Sequence, residues 1–442
     1  MRRVLVVSPN FPPNDTVDMH RVRMTVGRYA EHGWRPTVLR VAPGDTGRAI
    51  DEDLAATLPG GLEVVEVAAP RGRLAGLFGL NATGIRAWTA LHRAGRRLLA
   101  EGRFDLVFVS TTEFPVMALG RAWKARFGVP YLLDFQDPWA TFPASAAPYL
   151  RRGAKHRLMR AVHRRLEAWT LPRAGGLMAV SQGYVDLLQA AYPALADRPS
   201  AVSPFPYSEA DFAVAAERGR AVDGLRRDDG GATCLFAGRI APAMESSLAS
   251  LFQAAAAGRR RRPEVFDRLW FVFVGTGYAP SGNPSVAMRL AAAAGMTDRV
   301  VEHPDRIRFL DAQKSMLDAD MLLLLGSNDD GYIPSKLNQS LSLPKPLLCA
   351  APRTSRAFRA VEGLATVLTF AAGEPAGEAQ LEALADRLRA LASGGPADAY
   401  AERKPRTAPF EAAQAAARDC ALFDSVVETA LDSGKRSVRH GR

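Results

Sequence analysis

Apolar residues gather along the chain into short continuous runs, separated by longer stretches with helical spacing. In the first half these runs are VLVVS (4–8), PTVLRV (36–41), LEVVEV (62–67), DLVFVS (105–110), YLLDF (131–135) and GLMAVS (176–181). The second half repeats the rhythm with ATCLFAG (232–238), LWFVFVG (269–275), IRFL (307–310), MLLLLG (321–326), PLLCAA (346–351) and TVLTF (366–370). Such near-continuous apolar runs suit strands of a parallel sheet covered on both faces, and their alternation with helical patterns predicts a doubly wound α/β architecture. Two such sheets are implied, one over residues 1–205 and one over 231–400. The polar, turn-rich stretch 206–230 between them reads as a linker. A last helical pattern over 408–432 carries an apolar stripe at Phe410, Ala413, Ala417, Cys420, Phe423, Val427 and Leu431, so it must dock on something. The basic tail 433–442 is expected to lie outside the fold.

A length of 442 residues exceeds one ordinary core, which agrees with two domains. Apolar content of 48% with 23% charged residues is that of a soluble globular chain. The start MRRVLVVSPNFPP has the charge of a signal peptide, but the apolar run Val4 to Val7 is too short for one and reads as a first buried strand. No run approaches the length that spans a bilayer. Cys234, Cys349 and Cys420 are widely spaced in apolar sequence, so neither a disulfide framework nor a metal cluster is expected, and a reducing cytoplasm fits. The formal charge of +11 favours an anionic partner, whether a phosphorylated substrate, a membrane surface or nucleic acid. A nucleic-acid role rests on charge alone, since basic and aromatic residues are not interleaved and no recognition module is visible.

Ligands of doubly wound folds bind beyond the carboxyl ends of the strands, so the residues after each run carry the chemistry. Gly238 and Arg239 follow one strand; Gly275, Thr276 and Gly277 follow the next; Asn328 to Gly331, with Asp330 among them, follow a third. Pro334, Ser335 and Lys336 then open a predicted helix, where unsatisfied backbone N–H groups beside a lysine suit a phosphate, with Arg239 as the second cation. VGTGYAPSG (274–282) supplies two glycines of a dinucleotide fingerprint, but Pro280 stands at the third position and no helix opens at once. In the first half YLLDFQDPW places Asp134 and Asp137 at a strand end. Asp137 either orients a substrate hydroxyl and accepts its proton or caps the turn before Pro138. Glu113, after DLVFVST, is a further acceptor-side candidate.

The stretch 149–169 carries Arg151, Arg152, Lys155, Arg157, Arg160, Arg164 and Arg165 around a stripe of Leu150, Ala154, Leu158, Val162, Leu166 and Trp169. Such a helix can lie on an anionic bilayer or turn its stripe to the core. A second arginine-rich segment, with Arg71, Arg73 and Arg86 among Leu74, Leu77, Phe78 and Leu80, suits a headgroup boundary.

SPNFPP followed by Arg21, HGWRPTVL, DFQDPW, EAWTLPRAGGLMAVS, FAGRI, FVFVGTG, DADMLLLL and YIPSKLNQSLSLPKPLL together resemble the retaining GT-B glycosyltransferases of the family 4 group, bacterial polysaccharide type. The likeness runs over about residues 1–350. It implies two facing Rossmann-like domains, the acceptor held by the first and a nucleoside-diphosphate sugar by the second, with the terminal helix crossing back to the first. It implies no metal and no other cofactor, the departing diphosphate being stabilised by Arg239 and Lys336. Asp137 matches the family's strand-end aspartate, Arg21 an acceptor-side position, and Ser181 a serine read as structural. Three departures stand out: NDTVDMHR replaces a Gly-Gly pair in the first loop, Met244 falls near a basic position, and Gln339 stands where the family has a ribose-binding glutamate, with Gly331 at its acidic partner. The expected activity is transfer of a sugar, with retention, to a lipid-linked or polysaccharide acceptor, by a cytoplasmic protein peripheral on the inner face of the membrane. The alternative is a GT-B scaffold that has lost transfer and binds a sugar or nucleotide.

Overall fold

The computed structural model describes residues 1–69, 82–137, 139–141, 154–277, 285–328, 334–364, 367–393 and 401–440, with side chains throughout except at 154–156 and 434–440. It divides into two compact units, one of residues 1–206 with 412–442 and one of 207–411.

The first unit is built on seven parallel strands: β1 (Arg2–Val7), β2 (Trp34–Val41), β3 (Glu63–Val67), β4 (Leu106–Ser110), β5 (Tyr131–Phe135), β6 (Gly176–Ala179) and β7 (Ser200–Val202). Their order is β3-β2-β1-β4-β5-β6-β7, with Val4 opposite both Pro36 and Leu106. The chain winds outward from β1 in one direction and from β4 in the other, so the crevice for a ligand opens beyond the carboxyl ends of these two strands. Helices α1 (His20–Thr25), α2 (Thr83–Ala100), α3 (Ala118–Phe127), α4 (Ala154–Thr170) and α5 (Gln182–Ala191) accompany the strands.

One face of this sheet is closed by the C-terminal helix, Ala412–His440. Ala416, Cys420, Phe423, Val426 and Val427 pack on Val4, Val6, Phe108, Leu132 and Met178 of the strands. Phe423 is the anchor, its ring within 5.1–5.4 Å of those of Tyr29, Trp34 and Phe108. The expected stripe is displaced by about one residue: Leu431 is exposed, while Phe410 lies in a short turn before the helix and packs in the second unit. The segment 433–440, expected as a tail outside the fold, continues the helix.

The second unit has six parallel strands: β8 (Ala232–Ala237), β9 (Leu269–Val274), β10 (Val300–His303), β11 (Met321–Leu325), β12 (Leu347–Ala351) and β13 (Val367–Ala371), ordered β10-β9-β8-β11-β12-β13. It repeats the winding of the first, with its reversal between β8 and β11. Helices α6 (Glu209–Arg218), α7 (Glu245–Arg261), α8 (Phe309–Asp318), α9 (Leu337–Ser342) and α10 (Glu378–Ala392) belong to it.

Two expectations change here. The stretch 206–230 is not simply a linker. Ser208 caps α6 by accepting from the Asp211 amide at 3.2 Å, and the helix buries Phe212 and Ala215. IRFL is not a strand either, because Phe309 and Leu310 begin α8, stabilised by the Arg308–Asp311 ion pair at 2.8 Å. Four apolar residues fit a buried helix turn as well as a strand, and periodicity alone does not separate the two.

Candidate functional site

At the winding reversal of the second unit, the loops that leave β8, β9 and β11 are tied to one another. Gly238 N–H donates to the Val274 carbonyl at 2.9 Å and Ile240 N–H to the Thr276 carbonyl at 3.4 Å, joining the ends of β8 and β9. Asn328 N–H reaches the Ala243 carbonyl at 2.9 Å, and Ser247 Oγ donates to the Gly326 carbonyl at 2.9 Å, joining β8's loop and α7 to the end of β11. Arg239 leaves this braid exposed to solvent. Gly275, at φ +70°, makes the turn after β9 in a region that L side chains rarely adopt. Its N–H and that of Gly277 donate to the His303 and Pro304 carbonyls at 2.8 and 2.9 Å, while Thr276 Oγ1 bonds Glu302. Among the described residues the next helix begins at Val286, and residues 278–282 of the fingerprint candidate lie outside them.

Ser335 and Lys336 form the turn that enters α9; Ser335 is exposed and Lys336 half-buried, its Nζ 5.4 Å from the centre of the Phe309 ring. One turn on, Gln339 is only 4% exposed, and its Oε1 has no hydrogen-bond partner among the described residues. A buried amide oxygen without a donor costs about 1–3 kcal/mol, so the position suits a ligand that supplies one. Met244 is also buried, in the apolar core, so no cation takes its place there. Asp330 and Gly331 lie outside the described residues.

In the first unit the reversal between β1 and β4 is occupied by a buried polar cluster. Asp18 accepts from Asn10 Nδ2 at 3.2 Å, Thr111 Oγ1 at 3.1 Å and the Thr112 amide at 3.3 Å. Gln136 Nε2 donates to the Asp18 carbonyl at 2.9 Å, to Ser110 Oγ at 3.0 Å and to Asp134 at 3.1 Å. NDTVDMHR thus supplies, in Asp18, the residue that links β1 to β4, a role that a Gly-Gly pair has no side chain to perform. Asp137 follows this cluster and is exposed.

Two acceptor-side expectations are corrected. Arg21 is 1% exposed and its Nε lies 2.9 Å from Asp134, so it serves as a buried counter-ion, enclosed away from any acceptor. Glu113 is 7% exposed and is drawn into the start of α2, accepting from the Gly84 amide at 2.9 Å and from Arg48 at 3.3 Å. Burial pushes its carboxyl above the usual range, against the pull of that amide and of Arg48. A Cβ at Gly84 would lie 2.8 Å from Glu113 Cβ, so the close approach requires glycine.

A group that the sequence reading passed over is Glu167 on α4. It is fully buried and accepts from the Ala140 and Thr141 amides, from Thr141 Oγ1 and from Tyr192 O–H at 3.2 Å. Beside it Trp139 Nε1 donates to His163 Nδ1 at 2.9 Å. The inward face of α4 is therefore polar, and Leu158, Val162 and Trp169 of the expected stripe are exposed at 66%, 46% and 41%, while Leu166 packs against the core. Arg151 and Arg152 lie outside the described residues, as do Arg71, Arg73, Leu74, Leu77, Phe78 and Leu80 of the other arginine-rich segment. Among the described residues no helix is long and apolar enough to cross a membrane, and no three His, Cys, Asp or Glu side chains are grouped to hold a metal ion.

The family pattern described as "Glycosyl transferase 4-like domain" matches residues 20–204. No curated protein sequence matches the chain at a significant level. Among solved structures, sucrose-phosphate synthase from Thermosynechococcus elongatus is similar over 100% of both chains, with a TM-score of 0.54 and 13% identity. An α,α-trehalose-phosphate synthase (UDP-forming) from Burkholderia xenovorans is similar over 99% of this chain and 100% of its own, at 0.51 and 13%. A UDP-N-acetylglucosamine 2-epimerase from Listeria monocytogenes, so described provisionally, is similar over 97% of both, at 0.54 and 14%. Identities this low establish the common fold, and the epimerase shows that this fold alone does not select a reaction.

Proposed function

We propose that the chain, which shares the fold of the synthases above and whose residues 20–204 match the pattern of a glycosyl transferase 4-like domain, is a glycosyltransferase that moves a sugar, with retention, from a nucleoside diphosphate to a lipid-linked or polysaccharide acceptor at an anionic membrane surface. The observation that carries the donor half is the braid at the ends of β8, β9 and β11, which holds the Gly238 and Gly275 backbone fixed beneath Arg239. Ser335 and Lys336 enter from the following turn, and Gln339 offers its unpartnered oxygen to the nucleoside ribose. The departing diphosphate is stabilised by the positive charges of Arg239 and Lys336, a task that needs only fixed cations. Asp137, exposed after β5, orients the acceptor hydroxyl and takes its proton.

A thermal-shift screen of UDP, GDP and ADP with their sugars tests the donor half, since a ligand at 100 times its dissociation constant stabilises by about 2.7 kcal/mol. One base should raise the melting temperature clearly above the others. Gln339→Glu should tighten binding of that nucleotide roughly fivefold, or about 1 kcal/mol, the difference between a charged and a neutral hydrogen bond. The same variant should melt earlier without nucleotide, because the new carboxylate is buried without a donor. No shift with any nucleotide would overturn the donor assignment.

The membrane half is supported by the way α4 faces. Leu158, Val162 and Trp169 are exposed together with Arg157, Arg164 and Arg165, and the Arg121 guanidinium lies 4.5 Å from the centre of the Trp169 ring. An exposed apolar stripe set among arginines suits a bilayer with anionic headgroups, each nearby cation contributing on the order of 1 kcal/mol. The protein should co-sediment with vesicles containing phosphatidylserine and release as salt rises. Replacing Leu158 and Val162 by Ser, or the three arginines by Gln, should weaken that binding at least tenfold. Equal binding to neutral vesicles would count against it.

A further inference from the structure

The segment that follows β5 alternates between buried and exposed residues. Gln136 is 5% exposed and is held by three hydrogen bonds to Asp18, Ser110 and Asp134. Asp137 is exposed. Trp139 is again fully buried, stacked on Phe114 with centroids 5.6 Å apart and planes 8° from parallel, and bonded through Nε1 to His163. Ala140 and Thr141 then give both their backbone N–H groups to Glu167.

Glu167 lies 27 residues beyond Ala140, on the inner face of α4, and its carboxylate has four donors converging on it. Burial raises its pKa, and those donors, standing where water would, pull it the other way. An apolar residue would close the core there without that desolvation. What a carboxylate adds is one oxygen, Oε2, that accepts both adjacent amides, and a second, Oε1, that takes the Thr141 and Tyr192 hydroxyls, fixing the path of the backbone at residues 140 and 141.

We propose that Glu167 is a positioning residue for transfer: it clamps residues 139–141 so that Asp137 is presented in one orientation. The proposal rests on the reading of Asp137 as the residue that addresses the acceptor hydroxyl. In Glu167→Gln the amide oxygen can still accept both backbone N–H groups while its NH₂ donates to the two hydroxyl oxygens, so the clamp is largely kept; in Glu167→Met no acceptor remains, and the clamp opens. In Glu167→Asp the charge survives with a shorter reach, and the clamp is partly kept. A displacement of about 1 Å at a reacting group lowers turnover on the order of 100-fold.

The experiment has a structural and a kinetic arm. Hydrogen exchange of the full-length protein should show the Ala140 and Thr141 amides protected in the native protein and in Glu167→Gln, exposed in Glu167→Met and intermediate in Glu167→Asp. Kinetics use whichever member of a UDP-, GDP- and ADP-sugar panel gives measurable nucleoside diphosphate release with acceptor present. There Glu167→Met should lose about 30- to 100-fold in kcat with the donor KM changed less than threefold, Glu167→Asp should recover part of the loss, and Glu167→Gln most of it. Added to Asp137→Asn, the Glu167→Met change should cost little more, because both act through one group. Multiplicative losses, or normal kcat in Glu167→Met while Asp137→Asn is impaired, would overturn the positioning role. Normal turnover in Asp137→Asn would instead overturn the reading of Asp137, and with it the route by which Glu167 acts.

Discussion

Arg239→Ala and Lys336→Ala should each lower glycosyl transfer by about 100- to 1,000-fold, with kcat falling more than the donor KM rises. The expectation follows from what the leaving group requires. A nucleoside diphosphate gains negative charge as the glycosidic bond breaks, so a cation already in place stabilises the transition state more than the ground state. Arg239 leaves the end of β8 at the point where the second sheet reverses its winding, and the backbone beneath it is bonded to the end of β9. Lys336 precedes α9, on the segment that follows β11, the strand beside β8. Fixed backbone at both positions means little reorganisation when the charge develops. Arg239→Lys separates charge from geometry: it keeps the cation and loses the planar fork, so it should recover only part of the activity. Near-normal turnover in both alanine variants, measured by nucleoside diphosphate release, would sink the assignment.

How far this site could be read from the chain depends on what each residue's neighbours reveal. Gly238, Arg239, Gly275 and Lys336 were legible because a buried parallel strand announces itself as a continuous apolar run, and whatever follows the run stands at the sheet's ligand edge. β7 and β10 were not legible. SAV is three residues long at a sheet edge, and VVEH is half-polar, so neither forms such a run. α6 left a local signal that was passed over: Ser208 followed by acidic Glu209 and Asp211 is the pattern of a capped helix start. Glu167 left none. Periodicity divides α4 into two faces without saying which is inward, and the apolar face was the natural choice; only the Ala140 and Thr141 amides, far away in sequence, make the polar face the buried one.

The same limit explains Arg21, whose partners cannot be found from its own surroundings in the chain. It lies 2.9 Å from Asp134 at the end of β5, and it also acts on Asp419 of the C-terminal helix, which is fully buried and bonded by the Tyr29 hydroxyl at 3.1 Å. Burial pushes the Asp419 carboxyl up to about 6 and that of Asp134 upward as well, and in both cases Arg21 opposes the rise. Arg21→Met fills much of the same volume but removes this opposing charge. It should destabilise the protein by about 3–5 kcal/mol at pH 7.5, the usual loss when one partner of a buried ion pair is taken away. The pH dependence has a definite sign. With their pKa values raised further above the unfolded values, the two carboxyls bind protons more tightly in the folded state. Stability is then gained as pH falls and lost as pH rises through the folded pKa values. The variant should therefore recover part of its deficit between pH 7.5 and pH 5, and Asp134→Asn introduced beside Arg21→Met should recover part of it at pH 7.5. Urea denaturation of the single and double variants at both pH values measures this. A deficit below about 1 kcal/mol, or one that does not shrink toward pH 5, would mean that Arg21 does not hold the C-terminal helix to the first sheet through charge.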